Sequence, residues 1–439
     1  MQKLIFIFRL AYRNLKLNYK KNLAALISIV AGFMSINLFE GYMKGAQDIF
    51  NENYEYRFTY GDLTIHHSDA FNNSIFFDGI NYISKKTQDQ LIEHLQSTNR
   101  VEIFVRKLNF RGMMTNGHLT TPIIGEGIDV NESIAMRAPV WSWNTSAGHP
   151  LRDGEANVVL GEELGRLLNC QALKKEKFLN LDGGYIAKER ALNCSRSQMQ
   201  ISSTTDSGQA NAIFLNVSGV LNTLYRELDS RYVQLPLSNA QSLLDTQGIS
   251  LITLKLIKGA DKKDFITSFE SFINENKLPL KISSWKDNAF GDLYRQSMSF
   301  LNVLRGFFLV VILLIVTFSI MATQTRLVFE RIKETATLRS LGFTNGLVTQ
   351  IFICEALVLT LLGVVIGSLF SVIVSFAVKK IGIFYLIGIL SEQVPFTIAL
   401  ITNNFIYSGF VLIILVTIAC YIPLRKTLSM SISEAFAHN

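Results

Sequence analysis

The sequence predicts a membrane protein with four transmembrane α-helices and a large extracytoplasmic α+β domain inserted between helices 1 and 2. The 439 residues are 49% hydrophobic and only 18% charged, which is apolar for a soluble protein. The apolar residues are also clustered into uncharged runs, and a run of about 20 apolar residues is long enough to cross a bilayer as a helix. One long segment of mixed composition separates the first two runs.

Four uncharged runs define the predicted spans: Leu23–Phe39, Gly306–Thr325, Ala356–Val378 and Phe405–Ile422. With their flanks, they give transmembrane helices at 22–43, 297–325, 347–378 and 402–424. The connection at 379–401 contains a further apolar stretch, Ile381–Leu390. This stretch is too short to span a bilayer, so it is predicted to be an interfacial or re-entrant piece.

Basic residues near the span ends predict the orientation, because they favour the cytoplasmic side. Only Lys379 and Lys380 lie on the side predicted to be outside. The tail 425–439, the loop 326–346 and residues 1–21 are therefore predicted to be cytoplasmic, and 44–296 to lie outside. The twelve residues that support this orientation are Lys3, Arg9, Arg13, Lys16, Lys20, Lys21, Arg326, Arg331, Lys333, Arg339, Arg425 and Lys426.

The amino-terminal residues have the spacing of an amphipathic helix, with Leu4, Phe8, Ala11 and Leu15 on one face and basic residues on others. Such a helix suits the surface of the inner leaflet. The alternative is a solvated basic tail. The first span lacks a small-residue cleavage site after it, so it is expected to be a retained anchor rather than a cleaved signal.

The segment 44–296 alternates between strand and helix patterns, and Gln198–Gln209 is polar enough to predict a mobile loop. A disulfide between Cys170 and Cys194 is predicted for an oxidising compartment, with two unpaired thiols as the alternative. The predicted helices are Thr87–Ser97, Glu162–Leu168, Ser238–Leu244 (with Ser238 as its cap) and Lys262–Asn274. The predicted strands are Leu63–His67, Val101–Phe110, Val158–Leu160, Ala212–Val220, Tyr232–Leu235 and Leu251–Ile257.

Several kinds of chemistry lack their motif. A P-loop needs a Gly-Lys pair, and the sequence contains none, so any ATPase must be a separate chain. No His-Glu-x-x-His motif occurs, and the adjacent His66 and His67 would point to opposite faces of a strand. No basic patch typical of nucleic-acid binding stands out. The sequence therefore predicts no catalytic, metal or cofactor site.

The stretch from Phe329 to Ser371 is the most informative part of the chain. A helix is predicted from Phe329 to Leu341, with Gly342 ending it in a left-handed conformation and a turn at Asn345-Gly346. Glu355, near the inner end of the third span, can reach the interface or a basic partner. Small residues at Gly363, Gly367 and Ser371 permit close helix packing, either within the chain or between two chains.

This stretch resembles FtsX-like permeases, the membrane subunits of type VII ABC transporters of the MacB and LolCDE kind. The segments that carry the resemblance are Leu10–Asn22, Gly61–His67, Tyr232–Leu244, Glu330–Gly342, Glu355–Leu357, Gly363–Gly367 and Ser431–Phe436, in an order that fits the LolC/LolE-like branch. The resemblance implies flanking Porter-like parts at 44–111 and 219–296, with an inserted Sabre-like part at 112–218 that handles cargo or a carrier.

The resemblance also implies that a cytoplasmic helix docks on a partner ATPase. The residues expected to dock are Glu330, Arg331, Glu334, Leu338, Arg339, Leu341 and Gly342. Leu338 and Leu341 would form an apolar knob, and Arg331 and Arg339 would reach acidic groups of the partner. The alternative is a loop whose charges are solvated or bind inner-leaflet phosphates.

The implied assembly holds two ATPase copies, which bind ATP and Mg²⁺, and a second permease chain, identical or paralogous. A periplasmic carrier or an outer-membrane channel would complete it, with membrane lipid around the spans. Lipoproteins or another acylated cargo are expected, to be extracted or released from the inner membrane. The alternatives are MacB-like export of peptides, toxins or small molecules, and FtsX-like regulation of cell-wall hydrolases.

Overall fold

The computed structural model describes residues 2–17, 19–70, 81–180, 186–223, 225–288, 291–386, 390 and 393–430, so the family segment Ser431–Phe436 lies outside the described residues. The helices are α1 Gln2–Leu17, α2 Tyr19–Glu52, α3 Lys85–Ser97, α4 Val130–Arg137, α5 Glu162–Leu167, α6 Arg226–Asp229, α7 Leu237–Leu244, α8 Lys262–Glu275, α9 Asp292–Glu330, α10 Ile332–Ser340, α11 Asn345–Ile381 and α12 Thr402–Leu428. A π-helical turn, Asn53–Arg57, follows α2.

The strands are β1 Leu63–His67, β2 Val101–Thr115, β3 Thr120–Ile128, β4 Thr145–Gly148, β5 Asn157–Gly161, β6 Cys170–Asn180, β7 Ile186–Cys194, β8 Gln198–Thr204, β9 Ala210–Leu221, β10 Tyr232–Pro236, β11 Leu251–Leu256, β12 Leu280–Ser283, β13 Phe384–Tyr385 and β14 Val394–Pro395. Within the described residues, four helical segments are long and apolar enough to cross a membrane: Asn22–Arg57, Tyr294–Glu330, Asn345–Ile381 and Thr402–Leu428. The predicted fold class is therefore confirmed.

The chain divides into two compact units. The helical unit comprises Met1–Asp48, Ser299–Phe384 and Pro395–Asn439, and the sheet unit comprises Ile49–Met298 and Tyr385–Val394. Part of the interfacial or re-entrant piece predicted at Ile381–Leu390 lies outside the described residues, at 387–389. The structure ends α11 at Ile381, leaves Phe384 exposed and buries Leu390 completely, within the sheet unit.

A ten-stranded mixed sheet organises the sheet unit. Nine strands follow the order β12-β1-β11-β2-β3-β10-β5-β9-β4, and β8 pairs with β2 and β9. The predicted part boundaries at 112 and 218 fall inside β2 and β9. The predicted flanking and inserted parts therefore share one sheet.

Helix α8 of the sheet unit buries one apolar face. In α8, Phe265, Phe269 and Ile273 are buried, at the spacing that places them on one side of a helix. Asp261 caps α8 by accepting hydrogen bonds from the amides of Lys263 and Asp264, which satisfies two groups that the helix leaves free.

Two local predictions for the sheet unit are wrong. The segment predicted as a mobile loop contains β8, Gln198–Thr204, which pairs with β9 along its whole length. Ser238 is not a cap, because α7 already begins at Leu237 after Pro236. The predicted pairing of Cys170 with Cys194 is present as a disulfide, at the base of the β6–β7 hairpin.

The helical unit has its own apolar core. Ile29 and Phe33 of α2 pack there with residues of α9, α11 and α12. The amino-terminal segment forms α1 as predicted, and Ala11 is buried while Leu15 packs against this core. Phe8, predicted to share that apolar face, is exposed.

Candidate coupling site

The short helix α10 is separated from α9 by a break at a single residue. Arg331 has φ −111° and ψ 21°, outside the helical range, and α10 begins at Ile332. The continuous helix predicted from Phe329 to Leu341 is therefore wrong. Glu330 belongs to α9, where its carboxylate accepts a hydrogen bond from Arg326 at 2.8 Å, so Glu330 and Glu334 do not share one helix.

The Arg331 side chain turns into the helical unit. Its Nη1 donates to a carboxylate oxygen of Glu355, and its Nε donates to Glu334 Oε2 at 2.7 Å. The guanidinium also lies 4.8 Å from the centre of the Phe352 ring, a distance typical of cation–π attraction. Arg331 was predicted to reach a partner, and its burial contradicts this.

Glu355 joins three elements at this point. Besides the Arg331 contact, its Oε1 accepts a hydrogen bond from Asn14 Nδ2 of α1 at 2.7 Å. The basic partner predicted for Glu355 is thus Arg331 itself. Removing one member of a buried ion pair leaves an uncompensated charge at a cost of about 3–5 kcal/mol. The ion pair therefore holds the start of α10 to α11, and the Asn14 hydrogen bond holds α1 to the same carboxylate.

The opposite side of α10 remains exposed. Lys333, Glu334, Thr337 and Ser340 are exposed there, and the Leu341 side chain just after the helix is 71% exposed. Leu341 therefore fits the predicted apolar knob. Leu338 fits it less well, because it is half-buried and packs against the core of the helical unit.

The end of α10 is built as the sequence predicts. Gly342 has φ +90°, a conformation that glycine adopts without strain, and it follows Leu341, the C-cap residue of α10. The Asn345-Gly346 turn is not present, because α11 begins at Asn345 with the Thr344 hydroxyl accepting from the Leu347 amide at 3.4 Å. Arg339 donates to the Met430 carbonyl oxygen at 2.8 Å, which occupies one of its donors inside the chain.

The small-residue stripe of α11 packs within the chain. A Cβ on Gly363 would lie 2.5 Å from Ile29 Cγ2, and a Cβ on Gly367 would lie 3.0 Å from Phe33 Cδ1. Both glycines and Ser371 are buried. The structure therefore favours the intrachain alternative for this stripe.

The sequence missed part of this site. Asn14 was not singled out, although an amide side chain in the middle of a largely basic and apolar helix is a signal for a buried polar contact. Phe352 carried no signal beyond its apolar character. Among the residues that the structure describes, no group of acidic, histidine or cysteine side chains could hold a metal ion.

Comparisons with known proteins agree with this architecture. Residues 306–432 match the FtsX-like permease C-terminal family. The "Lipoprotein-releasing system transmembrane protein LolC" of Xylella fastidiosa, strain Temecula1, is 23% identical over 270 residues, 61% of this chain and 59% of that protein. The LolC protein of strain 9a5c matches with the same identity and coverage. The chain thus spans about 59% of the length of these relatives.

Two solved structures resemble parts of the chain. The periplasmic region of MacB from Actinobacillus actinomycetemcomitans has a TM-score of 0.33 at 13% identity, covering 54% of this chain and 92% of that one. The extracellular domain of the noncanonic ABC-type transporter YknZ from Gram-positive bacteria has a TM-score of 0.31 at 13% identity, covering 51% of this chain and 98% of that one. The match of residues 306–432 to the FtsX-like permease C-terminal family, the similarity to LolC and the four apolar helices support a type VII ABC transporter permease of a bacterial inner membrane.

Proposed function

We propose that this permease converts ATP hydrolysis by a separate ATPase subunit into movement of the sheet unit. The observation that carries the proposal is the exposed Leu341 at the end of α10, a helix whose start is fixed by the buried Arg331–Glu355 pair. An apolar side chain presented on a fixed helix and flanked by charges suits a groove on a protein partner. A loosely held loop would lose more conformational freedom on binding.

The partner supplies the nucleotide chemistry. Because the sequence has no Gly-Lys pair, ATP and Mg²⁺ bind to the ATPase and not to this chain. Two ATPase copies then act on two permease chains, identical or paralogous. Glu334, Leu341 and the remaining donors of Arg339 form the docking surface, and Arg331 positions it from inside.

The second permease chain meets this one through α9 rather than through the glycine stripe. Gly363 and Gly367 are already covered by α2, whereas Phe307 and Phe318 of α9 are exposed. Aromatic side chains on one helix offer a large contact area to a second chain. Membrane lipid covers the rest of the spans.

The proposed cargo is a lipoprotein or another acylated molecule that leaves the inner membrane. Support comes from the LolC relatives, whose name describes a lipoprotein-releasing system. The part of the sheet unit between 112 and 218 would contact the cargo or a periplasmic carrier, and an outer-membrane channel is an alternative recipient.

The docking surface is tested by Leu341→Asp. A carboxylate in a desolvated groove costs several kcal/mol, so we expect the ATPase to bind at least about a hundredfold more weakly while the permease still inserts and folds. The measurement is ATPase affinity for the purified permease in nanodiscs.

The matched control is Leu167→Asp, which adds the same charge at a 49% exposed leucine of the sheet unit. It should bind the ATPase as the unmodified chain does. Unchanged affinity of Leu341→Asp would remove α10 from the ATPase interface. Failure of the unmodified permease to bind any ATPase encoded beside it would instead contradict the proposed function as a whole.

The proposed orientation places both termini in the cytoplasm and the sheet unit outside, following the basic residues near the span ends. Single cysteines at Ser207 and Ser340, both exposed, test it in a chain that carries Cys354→Ser. A membrane-impermeant maleimide applied outside intact inner-membrane vesicles of native orientation should label Ser207→Cys but not Ser340→Cys. Labelling with the reverse pattern would invert the orientation.

A further inference from the structure

An open cavity of about 520 Å³ lies in the sheet unit, beside the turn between β2 and β3. Its volume falls in the range of roughly 300–1,000 Å³ that is typical of small-molecule sites. It is lined by the end of β2, by the turn between β7 and β8, and by facing residues of β8 and β9. The proposed function assigns this cavity no ligand of its own.

Phe214 contributes an aromatic ring to this cavity. Its side chain is 59% exposed, whereas the next residue of β9, Leu215, is buried. The strand register places Phe214 directly opposite Gln200 of β8, and Gln200 opposite Thr115 of β2. Because directly opposite residues share one face of a sheet, the Phe214 ring lies on the outer face, among polar side chains. This ring is a surface on which a ligand can stack.

Several polar side chains around this ring are not used by the fold. Within the part of the chain that the structure describes, four lining residues form no side-chain hydrogen bond: Ser195, Ser197, Gln198 and Gln200. Each hydroxyl and each carboxamide can both donate and accept hydrogen bonds. Hydroxyl groups on a ligand also do both, so these side chains match a polyhydroxylated molecule better than an apolar one.

Arg196 adds a positive charge to the cavity. Its Nη1 donates to the Asn116 carbonyl oxygen at 3.1 Å, and a Cβ on Gly117 would lie only 2.2 Å from that nitrogen. The glycine therefore lets the guanidinium lie directly against the turn. Its Nε and Nη2 have no hydrogen-bond acceptor among the described residues, which leaves two donors that a carboxylate can engage.

The walls of the cavity are held in place by contacts within the chain. The Asn116 side chain accepts hydrogen bonds from the amides of His118 at 3.0 Å and Leu119 at 2.8 Å, which fixes the turn after β2. The Cys170–Cys194 disulfide fixes the base of the β6–β7 hairpin, and Cys194 lines the cavity. A site arranged in advance loses little conformational freedom when a ligand binds.

We propose that this cavity binds a saccharide that bears a carboxylate. The sugar ring stacks on Phe214, because its C–H groups carry partial positive charge and the face of an aromatic ring is negative. Gln198, Gln200 and the two serines bind the sugar hydroxyl groups, and Arg196 binds the carboxylate. A peptide suits the site less well, since the backbone of Gln200 is already paired on both sides and cannot take up an added strand.

The test is a saturation-transfer NMR titration of the full chain in nanodiscs, with N-acetylmuramic acid as the probe. N-acetylglucosamine has the same ring without the carboxylate-bearing ether, and lactate supplies the carboxylate without the ring. We expect N-acetylmuramic acid to bind at least about tenfold more tightly than either, a difference of about 1.4 kcal/mol. Binding of lactate or N-acetylglucosamine as tight as that of N-acetylmuramic acid would overturn the proposal.

Two positions separate the ring from the charge. Phe214→Ala should bind N-acetylmuramic acid at least about tenfold more weakly, whereas Phe214→Tyr, which keeps an aromatic ring, should bind as the unmodified chain does. Arg196→Gln should lower the affinity for N-acetylmuramic acid to that for N-acetylglucosamine, and leave the affinity for N-acetylglucosamine unchanged. The unfolding temperatures of the variants are compared first, and Arg196→Gln keeps the proposal testable if Phe214→Ala is less stable.

The matched controls are Tyr56→Ala and Arg152→Gln, at an exposed aromatic residue and an exposed arginine of the sheet unit that do not line the cavity. Both should bind the probe as the unmodified chain does. Unchanged affinity in Phe214→Ala, or no binding to the unmodified chain, would contradict the saccharide site. Tighter binding of an acetylated Gly-Glu-Gly peptide than of N-acetylmuramic acid would also contradict it and assign the cavity to peptides. Because the titration contains no ATPase, saccharide binding would support the site even in a chain that transports nothing.

Discussion

The helical unit and the sheet unit each bury an ion pair: Arg331 with Glu355 in the first, and Lys107 with Glu126 in the second. In the sheet unit, Glu126 also accepts from Tyr232 at 2.7 Å and Gln234 at 3.2 Å, on the neighbouring strand. The two strands that hold Lys107 and Glu126 are already paired along a continuous ladder. This pair adds little to the placement of its strands.

The pair in the helical unit holds elements that have no such ladder. Glu355 is on α11, Arg331 lies between α9 and α10, and Asn14 is on α1. Apart from the ion pair, the buried Ile332 and Ala336 hold α10 by apolar contact with Met430. Burial of an ion pair therefore does not by itself mark a functional site, whereas the elements that the pair joins can mark one.

The largest expected effect is shared by both pairs. Glu126→Leu leaves the buried Lys107 ammonium without its charged partner, and Arg331→Met does the same to the buried Glu355 carboxylate, so each should lower the free energy of unfolding by about 3–5 kcal/mol. The measurement is denaturant unfolding of the full chain in detergent. Asp153→Asn, at an exposed carboxylate, is the control and should change little. If either variant lowered the free energy of unfolding by less than about 1 kcal/mol, the corresponding ion pair would not be desolvated.

A smaller expected effect is a pH dependence of stability in the sheet unit. Burial lowers the pKa of His66 in the sheet unit, so its stabilising contribution is complete above the unfolded pKa of about 6.5 and is lost as pH falls through the lower folded pKa. The loss is about 1.4 kcal/mol per unit of pKa difference. The unfolding midpoint of the sheet unit should change less with pH, between pH 7 and 5, in His66→Gln than in the unmodified chain. His118→Gln, at an exposed histidine, should keep the pH dependence of the unmodified chain. If the unfolding midpoint of His66→Gln changed with pH as much as that of the unmodified chain, the pH dependence would belong to other groups.

Much of the architecture could be predicted from local pattern. The spans follow from uncharged runs, and α8 and β11 from their apolar spacing. The strand β8 was missed because its sequence QMQISST is mostly polar, although the buried Met199 and Ile201 alternate as a strand requires. The hairpin β6–β7 was missed for a related reason, since charged residues interrupt the apolar pattern of both of its strands.

The coupling site could be predicted only where it depends on local sequence. Gly342 and the exposed Leu341 follow from helix-ending chemistry and from an apolar residue at a helix end. The burial of Arg331 does not, because it depends on Glu355 in the next long helix and on Asn14 near the start of the chain. A charged residue in a segment predicted to be cytoplasmic is expected to be exposed unless its distant partners are known.

The most direct test of the central claim replaces each ion pair with apolar side chains. Arg331→Met/Glu355→Leu and Lys107→Met/Glu126→Leu should both recover the unfolding free energy that the single changes remove, because an apolar pair of similar volume is often as stable as a buried ion pair. The measurement is ATPase affinity of the two folded double variants. The sheet-unit variant should bind as the unmodified chain does, and the helical-unit variant should bind at least about tenfold more weakly, equal to about 1.4 kcal/mol. Unmodified affinity of Arg331→Met/Glu355→Leu would contradict the claim that this ion pair positions α10 for the ATPase.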